Sequence, residues 1–229
     1  MYQPSLLAAG EPRVDPDARF ERVELDDTAW VDVARGWLVG ADTLFDQLVE
    51  RVDWHQGRRW MYERVVDDPR LSCWFPAGEP LPHPVLGEAR AALESHYGVS
   101  FGAVGLNYYR DGHDSVAFHR DRELRQVDRA MVAIVTLGST RPFLVRPRGK
   151  GASRNFSPGR GDLVVMGGSC QRDWEHAVPK VTRGGPRLSL SWRWSGHTGA
   201  VLDRPRDRRA SAKPAQPPPP ETSSDNDEE

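Results

Sequence analysis

The sequence has little cysteine and no long hydrophobic run. Its two cysteines, Cys73 and Cys170, cannot build a disulfide framework, and neither belongs to a CxxC pair, so we expect a reducing compartment. No stretch approaches the roughly 18 consecutive apolar residues that a membrane span needs. The N-terminus also lacks a basic start followed by an apolar run. These absences predict a soluble, cytoplasmic protein with no membrane partner.

Net charge of one sign is also nearly absent, because the formal charge is only −2. Residues 141–187 nevertheless hold ten Lys and Arg against three Asp and Glu. A local excess of this kind attracts a phosphate backbone whatever the total charge of the protein. Scattered, solvated arginines are the alternative interpretation of the same count.

The hydrophobic content, 38% of 229 residues, is enough for one substantial core. The composition changes along the chain, and a disordered, proline-rich tail with an acidic end is expected because it has too little apolar surface to fold. We predict four segments: an irregular N-terminal arm with one or two short strands (1–40), a helical support and lid (41–98), a β-rich catalytic core (99–200) and this tail (201–229).

Two helices precede a run of strands in the hydrophobic pattern. Asp42 or Thr43 can cap a first helix that ends near Trp54, and a second helix follows Pro84 and stops at Gly98. From residue 99 onward, five or more short apolar runs alternate with Gly, Pro and Asp turns, which is typical of a β-sandwich or barrel. The predicted fold class is therefore mainly β with flanking helices (α+β).

Two histidines and one aspartate have the spacing of a metal site. In FHRDRE, His119 and Asp121 lie two residues apart, so in a strand they point to the same side while Arg120 faces away. His176 follows 55 residues after Asp121, in WEHAVPK. Two imidazoles and one carboxylate on one face of iron(II) leave positions open for a co-substrate and dioxygen.

Other residues could serve the same site. His113 lies in the nearby turn RDGHDS and could replace His119 as a ligand, but only if the His-x-Asp geometry were abandoned. Cys170 lies six residues before His176 and could indicate zinc, although no second cysteine is placed to help. A His-x-Asp pair by itself is also common by chance in soluble chains.

A strand after the second histidine, GPRLSLSWR, contains two arginines. The carboxylate of an oxo-acid co-substrate requires a buried cationic partner, and arginine binds carboxylates in bidentate fashion. Arg187 is the candidate for this role. A surface arginine on an edge strand is the alternative.

Four motifs together resemble the AlkB-like branch of the 2-oxoglutarate- and iron(II)-dependent dioxygenases: NYY, HRDRE, DWEHAVPK and GPRLSLSWR. The resemblance covers residues 45–195. It implies a double-stranded β-helix (jelly-roll) core, iron(II) as the metal, and 2-oxoglutarate and dioxygen as co-substrates. It also implies oxidative removal of alkyl groups from nucleobases in DNA or RNA.

The resemblance implies roles for single residues as well. His119, Asp121 and His176 would be the catalytic metal ligands. Ser189 stands where many family members carry Asn, which puts one co-substrate hydrogen bond in doubt, although a hydroxyl can still donate. The side chains that would bind 2-oxoglutarate are Asn107, Tyr109, Arg187, Ser189 and Arg193.

Substrate contacts are expected from an acidic residue and from aromatic residues. Glu123 sits where the family places an acid against the damaged base, and Arg120 is a further candidate beside the metal ligands. Large apolar residues between the two helices, most of them aromatic, are candidates for a recognition lid, with a hydrophobic cap over the barrel as the alternative. They are Trp60, Met61, Tyr62, Trp74 and Phe75, with Arg58, Arg59 and Arg64 for phosphates.

The sequence therefore predicts a monomeric enzyme that dealkylates bases such as 1-methyladenine and 3-methylcytosine in DNA, with release of succinate, carbon dioxide and formaldehyde. Three alternatives remain open at this point. They are RNA demethylation by the same chemistry, hydroxylation of a small molecule or protein by the same iron core, and a non-catalytic nucleic-acid-binding module.

Overall fold

The computed structural model describes residues 10–61 and 63–196, so the predicted tail lies outside the described residues. Three α-helices occur in these ranges, α1 (Ala41–Arg51), α2 (Val85–Tyr97) and α3 (Cys170–Asp173), with a 3-10 turn at Arg122–Leu124. None of these helices is long and apolar enough to cross a membrane. The strands are β1 (Arg13–Val14), β2 (Phe20–Glu24), β3 (Ala29–Ala34), β4 (Leu38–Val39), β5 (His55–Met61), β6 (Arg64–Phe75), β7 (Val104–Tyr109), β8 (Val116–His119), β9 (Ala130–Gly138), β10 (Leu144–Pro147), β11 (Arg154–Asn155), β12 (Leu163–Gly168), β13 (Trp174–Val178) and β14 (Arg187–Ser195).

Two antiparallel sheets form the core of the fold. The larger sheet has eight strands in the order β2-β3-β12-β9-β14-β7-β6-β5, and the smaller has four in the order β11-β10-β13-β8. Apolar side chains from both sheets pack together between them, including Ile134, Met166, Val145 and Val178. This jelly-roll arrangement with helices outside confirms the predicted fold class.

Strand β9 shows how the larger sheet is covered on both faces. All nine of its residues are buried. Because side chains alternate across a strand, Val132 and Ile134 enter the core between the sheets, whereas Val135 and Leu137 pack in the cluster beneath the helices. A strand covered on both sides explains why the sequence here is a continuous apolar run.

Helices α1 and α2 lie against the outer face of the larger sheet, where Leu44, Leu48, Leu86 and Leu93 are buried. The second helix is as predicted: α2 follows Pro84 and stops at Gly98, whose φ of 67° is left-handed. The predicted cap of the first helix is wrong.

Helix α1 begins at Ala41, after Gly40, whose φ is 69°. A Cβ at Gly40 would lie 2.7 Å from the carbonyl oxygen of Gly10, so this position requires glycine. The N-cap is therefore Gly40, and the helix starts before Asp42.

The N-terminal segment is more regular than predicted. It contains four strands, and β2 and β3 form one edge of the larger sheet. Aspartate is seldom buried without a partner, and the carboxylate of Asp32 in β3 has two: Arg22 donates to it at 2.7 and 2.8 Å, and the Tyr97 hydroxyl donates at 2.9 Å. An acid with such partners can occupy a buried strand. The domain boundaries themselves remain a prediction.

Arg141 holds together the loops at one end of the smaller sheet. Its side chain is buried, and its guanidinium donates to the carbonyl oxygens of Asp111 at 2.8 Å, Asp114 at 3.1 Å and Pro179 at 2.7 Å. The loop after β7 is thereby joined to the end of β13. One of the ten basic residues in 141–187 therefore has a structural role.

We expect Arg141→Met to lower the free energy of unfolding by about 3 kcal/mol, because three carbonyl groups lose a charged donor. Urea denaturation of the two proteins measures the difference. Arg19→Met, at an exposed position, is the matched control and should change stability by less than about 0.5 kcal/mol. Equal stability of the Arg141 variant and the wild type would contradict this role.

Candidate metal and co-substrate site

His119, Asp121 and His176 converge at one point between the sheets. His119 is the last residue of β8, and His176 in β13 is its direct cross-strand partner. Asp121 follows β8 with extended backbone angles. The ligand atoms of the three side chains all lie within 4.8 Å of one another, and one Asp121 oxygen is 3.6 Å from His119 Nε2 and 3.9 Å from His176 Nε2.

The charge states of these side chains suit a metal. His119 Nδ1–H donates a hydrogen bond to the carbonyl oxygen of Ala117 at 2.9 Å, which leaves Nε2 free to coordinate. Burial lowers the pKa of His119, and burial, with the nearby positive charge of Arg193, lowers the pKa of His176 to about 3. Both imidazoles are thus neutral at pH 7, as coordination requires.

Asp121 is ionised and fixed by two neighbours. Burial opposes its ionisation, but the positive charge of Arg193, with the hydrogen bond that Arg193 donates, holds the pKa of its carboxyl well below the usual range. Arg193 Nε donates to Oδ2 at 2.6 Å, so Oδ1 is the oxygen that faces the histidines. The backbone N–H of Asp121 donates to the side-chain oxygen of Gln171 at 2.9 Å. Sequence reasoning missed the buried Gln171.

This set of donors fits iron(II). Two imidazole nitrogens and one carboxylate oxygen are the ligands of non-haem iron oxygenases, which keep the remaining coordination positions open. The His119 side chain is 32% exposed, whereas His176 is only 7% exposed. The site therefore opens to solvent on the His119 side.

A buried guanidinium without an acidic partner lies in the same core. Arg187 is 0% exposed and donates to Ser189 Oγ at 2.6 Å and to Thr136 Oγ1 at 3.0 Å. Its Nε has no hydrogen-bond partner, and no carboxylate pairs with it in the described ranges. Burial lowers its pKa to about 10, so it stays charged at pH 7. A buried, unpaired cation favours binding of an anion, which fits the carboxylate of 2-oxoglutarate.

Strand register brings the predicted co-substrate residues together. Arg187 pairs with Tyr109, and Ser189 pairs with Asn107 on one side and Thr136 on the other. These positions alternate onto the inner face of the sheet. Because Arg70 Nε donates to the amide oxygen of Asn107 at 2.9 Å, the NH2 group of Asn107 is the group left to donate.

Arg70 was also missed from the sequence. It lies in β6, and its positive charge contributes to the lowered pKa of His119. Its proximity to the site follows from the pairing of β6 with β7, in which Ser72 lies opposite Asn107. No motif in the sequence indicates this pairing.

Two of the predicted substrate residues lie nearer the surface than the metal ligands do. Glu123 is exposed in the 3-10 turn, and Trp60 in the β5–β6 hairpin is 66% exposed. Trp74 is half-buried, with its ring 5.8 Å from the guanidinium carbon of Arg193. Within residues 10–61 and 63–196, no hydrogen bond, ion pair or ring contact joins any of these three to the two histidines. Tyr62 lies outside the described residues.

The alternative ligands are not in the cluster. His113 is exposed, and its backbone N–H donates to Asp111 Oδ1 at 2.8 Å. Cys170 is buried, burial raises the pKa of its thiol to about 12, and it is not part of the cluster that His119, Asp121 and His176 form in the described ranges.

The fold and the donor set together define the class of protein. Residues 44–209, more than half of the chain, match the family model of the 2OG-Fe(II) oxygenase superfamily. The chain therefore belongs to this family and is a 2-oxoglutarate- and iron(II)-dependent dioxygenase, with iron(II), 2-oxoglutarate and dioxygen as its cofactors.

The relatives narrow the class to its AlkB-like branch. The chain is 31% identical over 218 residues to mouse alpha-ketoglutarate-dependent dioxygenase alkB homolog 3, covering 83% of this chain and 76% of that protein. It is 33% identical over 179 residues to human DNA oxidative demethylase ALKBH2, covering 67% and 68%. The resemblance seen in the sequence motifs is confirmed.

Solved structures share the fold. A prolyl hydroxylase from Trichoplax adhaerens, in complex with a hypoxia inducible factor peptide, aligns with a TM-score of 0.57 at 11% identity, covering 76% of this chain and 87% of that chain. A 2OG-Fe(II) oxygenase family protein from Burkholderia pseudomallei aligns with a TM-score of 0.50 at 18% identity, covering 68% and 78%. At these identities the likeness shows the fold alone.

We expect Gln171→Leu to weaken iron(II) binding roughly tenfold or more, because the Asp121 N–H loses its acceptor and the ligand loop loosens. Anaerobic equilibrium dialysis measures this affinity. Gln171→Glu keeps an oxygen in place and should restore part of it. Gln47→Leu makes the same change in α1 and should bind iron normally. Unchanged affinity in the Gln171→Leu variant would exclude the positioning role.

Proposed function

We propose that this dioxygenase removes alkyl groups from ring nitrogens of nucleobases in DNA, with 1-methyladenine and 3-methylcytosine as substrates. The observation that carries the proposal is the convergence of His119, Asp121 and His176 in the same core as the unpaired Arg187. The kinship with a protein named DNA oxidative demethylase supports nucleic acid as the substrate.

In the proposed enzyme, His119, Asp121 and His176 hold the iron. Iron(II), when bound, would let dioxygen place one oxygen atom on the alkyl carbon and the other in succinate, as 2-oxoglutarate loses carbon dioxide. The protein contributes placement of the reacting groups. A hydroxymethyl group on a ring nitrogen is unstable and leaves as formaldehyde, which restores the base.

Arg187 would bind the far carboxylate of 2-oxoglutarate, which supplies the counter-charge that this buried guanidinium lacks. Tyr109 and the free NH2 group of Asn107 would donate further hydrogen bonds. Ser189 acts through Arg187, since its hydroxyl accepts from that guanidinium at 2.6 Å. Many family members carry asparagine at this position, where it would bind the co-substrate directly. Ser189 would instead support the arginine that binds it.

Arg193 would serve both the metal and the co-substrate. Its Nε neutralises Asp121 at 2.6 Å, and its NH1 donates to Ser191 Oγ at 3.2 Å. With Oδ2 of Asp121 held by Arg193, Oδ1 would be left to coordinate the iron.

The target base must leave the stack to reach a site between two sheets. Bases methylated on the pairing edge carry positive charge, so the carboxylate of Glu123, two residues after Asp121, would favour them. Methylation also weakens pairing, which lowers the cost of extrusion. The exposed ring of Trp60 and the half-buried ring of Trp74 are the described aromatic surfaces on which bases could stack.

The function is tested by incubating the protein with iron(II), 2-oxoglutarate and methylated DNA or RNA oligonucleotides, and measuring formaldehyde and succinate. We expect turnover on DNA containing 3-methylcytosine. His119→Ala and Asp121→Ala should abolish turnover while keeping the fold, because each removes a ligand. His113→Ala, at the exposed histidine, is the control and should retain activity. Turnover of RNA alone would replace the DNA proposal, and wild-type activity in the Asp121 variant would reject the ligand assignment.

We expect Glu123→Gln to lower kcat/KM for 3-methylcytosine roughly fivefold to tenfold, because one carboxylate–cation attraction is lost at an exposed site. The value for 3-methylthymine, an uncharged base, should change little. Steady-state kinetics on matched oligonucleotides measure the ratio, with Glu21→Gln as the control at an exposed acid of β2. An equal loss of kcat/KM for both bases would show that Glu123 does not discriminate bases by their charge.

A further inference from the structure

Most basic residues between 141 and 187 already have partners, so the charge excess of this segment is not free as a whole. Two of them are buried, Arg141 against carbonyl oxygens and Arg187 in the co-substrate site. Others pair with acids or backbone groups. These are Arg146 with Glu175, Arg160 with Asp42, Arg172 with Asp128 and Asp173, and Arg154 with the carbonyl of Glu24.

Three arginines lie together on the outer side of the metal-ligand strands. Arg120 NH1 donates to the carbonyl oxygen of Arg172 at 2.9 Å, and Arg125 Nε donates to the carbonyl oxygen of Arg120 at 3.2 Å. The backbone N–H of Arg148 donates to the carbonyl oxygen of Asp173, next to Arg172, at 2.8 Å. Backbone contacts thus gather Arg120, Arg125 and Arg148, the arginine patch, around the junction of α3 and β13.

The nearest acids do not neutralise the arginine patch. Glu175 accepts from Arg146 at 3.2 Å, and Asp173 accepts from Arg172 at 2.9 Å. Among the residues that the structure describes, no carboxylate lies within 4.0 Å of any of the three patch arginines.

The three charges act on one another. The positive charges of Arg148 and Arg125 act on Arg120, and the negative charges of Glu175 and Asp173 oppose them in part. A group of like charges without close counter-ions creates a positive potential at the surface, which attracts an anionic partner.

The position of the arginine patch relates it to the metal site. Arg120 stands between His119 and Asp121, and its side chain turns away from the metal because neighbouring residues in an extended chain face opposite sides. The metal site opens on the side of the partly exposed His119. A nucleic-acid strand that delivers a base through this opening therefore passes the edge of β8 that carries the arginine patch.

The chemistry of the surface favours a polyanion over a protein partner. Protein interfaces depend on aromatic or apolar anchors. In the described part of the chain, the large apolar side chains that are well exposed are Trp60 and Val65, both in the β5–β6 hairpin and outside the arginine patch. Guanidinium groups match phosphate in bidentate geometry.

We propose that Arg120, Arg125 and Arg148 bind the phosphate backbone of the nucleic-acid strand whose target base enters the metal site. This inference rests on the proposed function and extends it, because the footprint continues past the extruded nucleotide onto the outer face of β8 and β13. Substrate affinity then depends on the length of the strand as well as on the damaged base.

The test uses the full chain and a fluorescein-labelled single strand of about 20 nucleotides, with binding measured by anisotropy at several salt concentrations. In the wild type, log affinity should fall steeply with log salt. Replacing all three patch arginines by glutamine should reduce the slope by about 2, since each phosphate contact on a single strand contributes about 0.7. The loss of kcat/KM should be at least severalfold larger on the long strand than on a methylated trinucleotide.

Two further variants separate charge from folding. Replacing the patch arginines by lysine keeps the charges and should keep most of the slope, whereas an equal loss in the lysine and glutamine variants would overturn the inference. A glutamine triple at Arg13, Arg19 and Arg90, on the N-terminal segment and α2, makes the same charge change and should leave binding unchanged. An equal effect of that control would also overturn it.

The outcome is independent of whether the proposed function holds. Patch-dependent binding without formaldehyde from any methylated oligonucleotide would reject the dealkylation proposal and leave the phosphate surface standing. Dealkylation with an unchanged salt slope in the glutamine variant, or a wild type that binds the labelled strand without salt dependence, would reject the phosphate surface.

Discussion

The antiparallel pairing of β8 with β13 is the constraint on which the site depends, because it places His119 directly opposite His176. A slip of one residue would turn one imidazole to the outer face, since side chains alternate along a strand. Arg193 adds a second constraint from the other sheet by holding the far oxygen of Asp121. Both sheets must therefore be assembled before the three ligand atoms can lie together.

Buried charge organises the core around this register. Asp121 is balanced by Arg193, whereas Arg187 is held by two hydroxyl groups and has no described carboxylate partner. An uncompensated buried cation costs stability in the absence of a ligand. The same unpaired positive charge favours binding of an anionic co-substrate. The core is therefore less stable without the co-substrate, which is common at preorganised sites.

The parts of the structure that sequence could predict are those with local causes. Helix α2 follows from Pro84 and Gly98, and the proximity of His119 to Asp121 follows from their spacing in an extended segment. Gln171 could not be found in this way, because its role depends on the meeting of α3 with the end of β8.

The N-terminal strands could not be predicted for a similar reason, because they depend on a contact between distant segments. The buried carboxylate of Asp32 is stabilised by Tyr97, 65 residues away, and no motif in the sequence indicates that contact.

The assignment of the metal ligands and of Arg187 is tested most directly by a crystal structure grown anaerobically with manganese(II) and 2-oxoglutarate. We expect the metal on His119, Asp121 and His176, with a co-substrate carboxylate on Arg187. A metal bound elsewhere, or a co-substrate that leaves Arg187 unpaired, would contradict it.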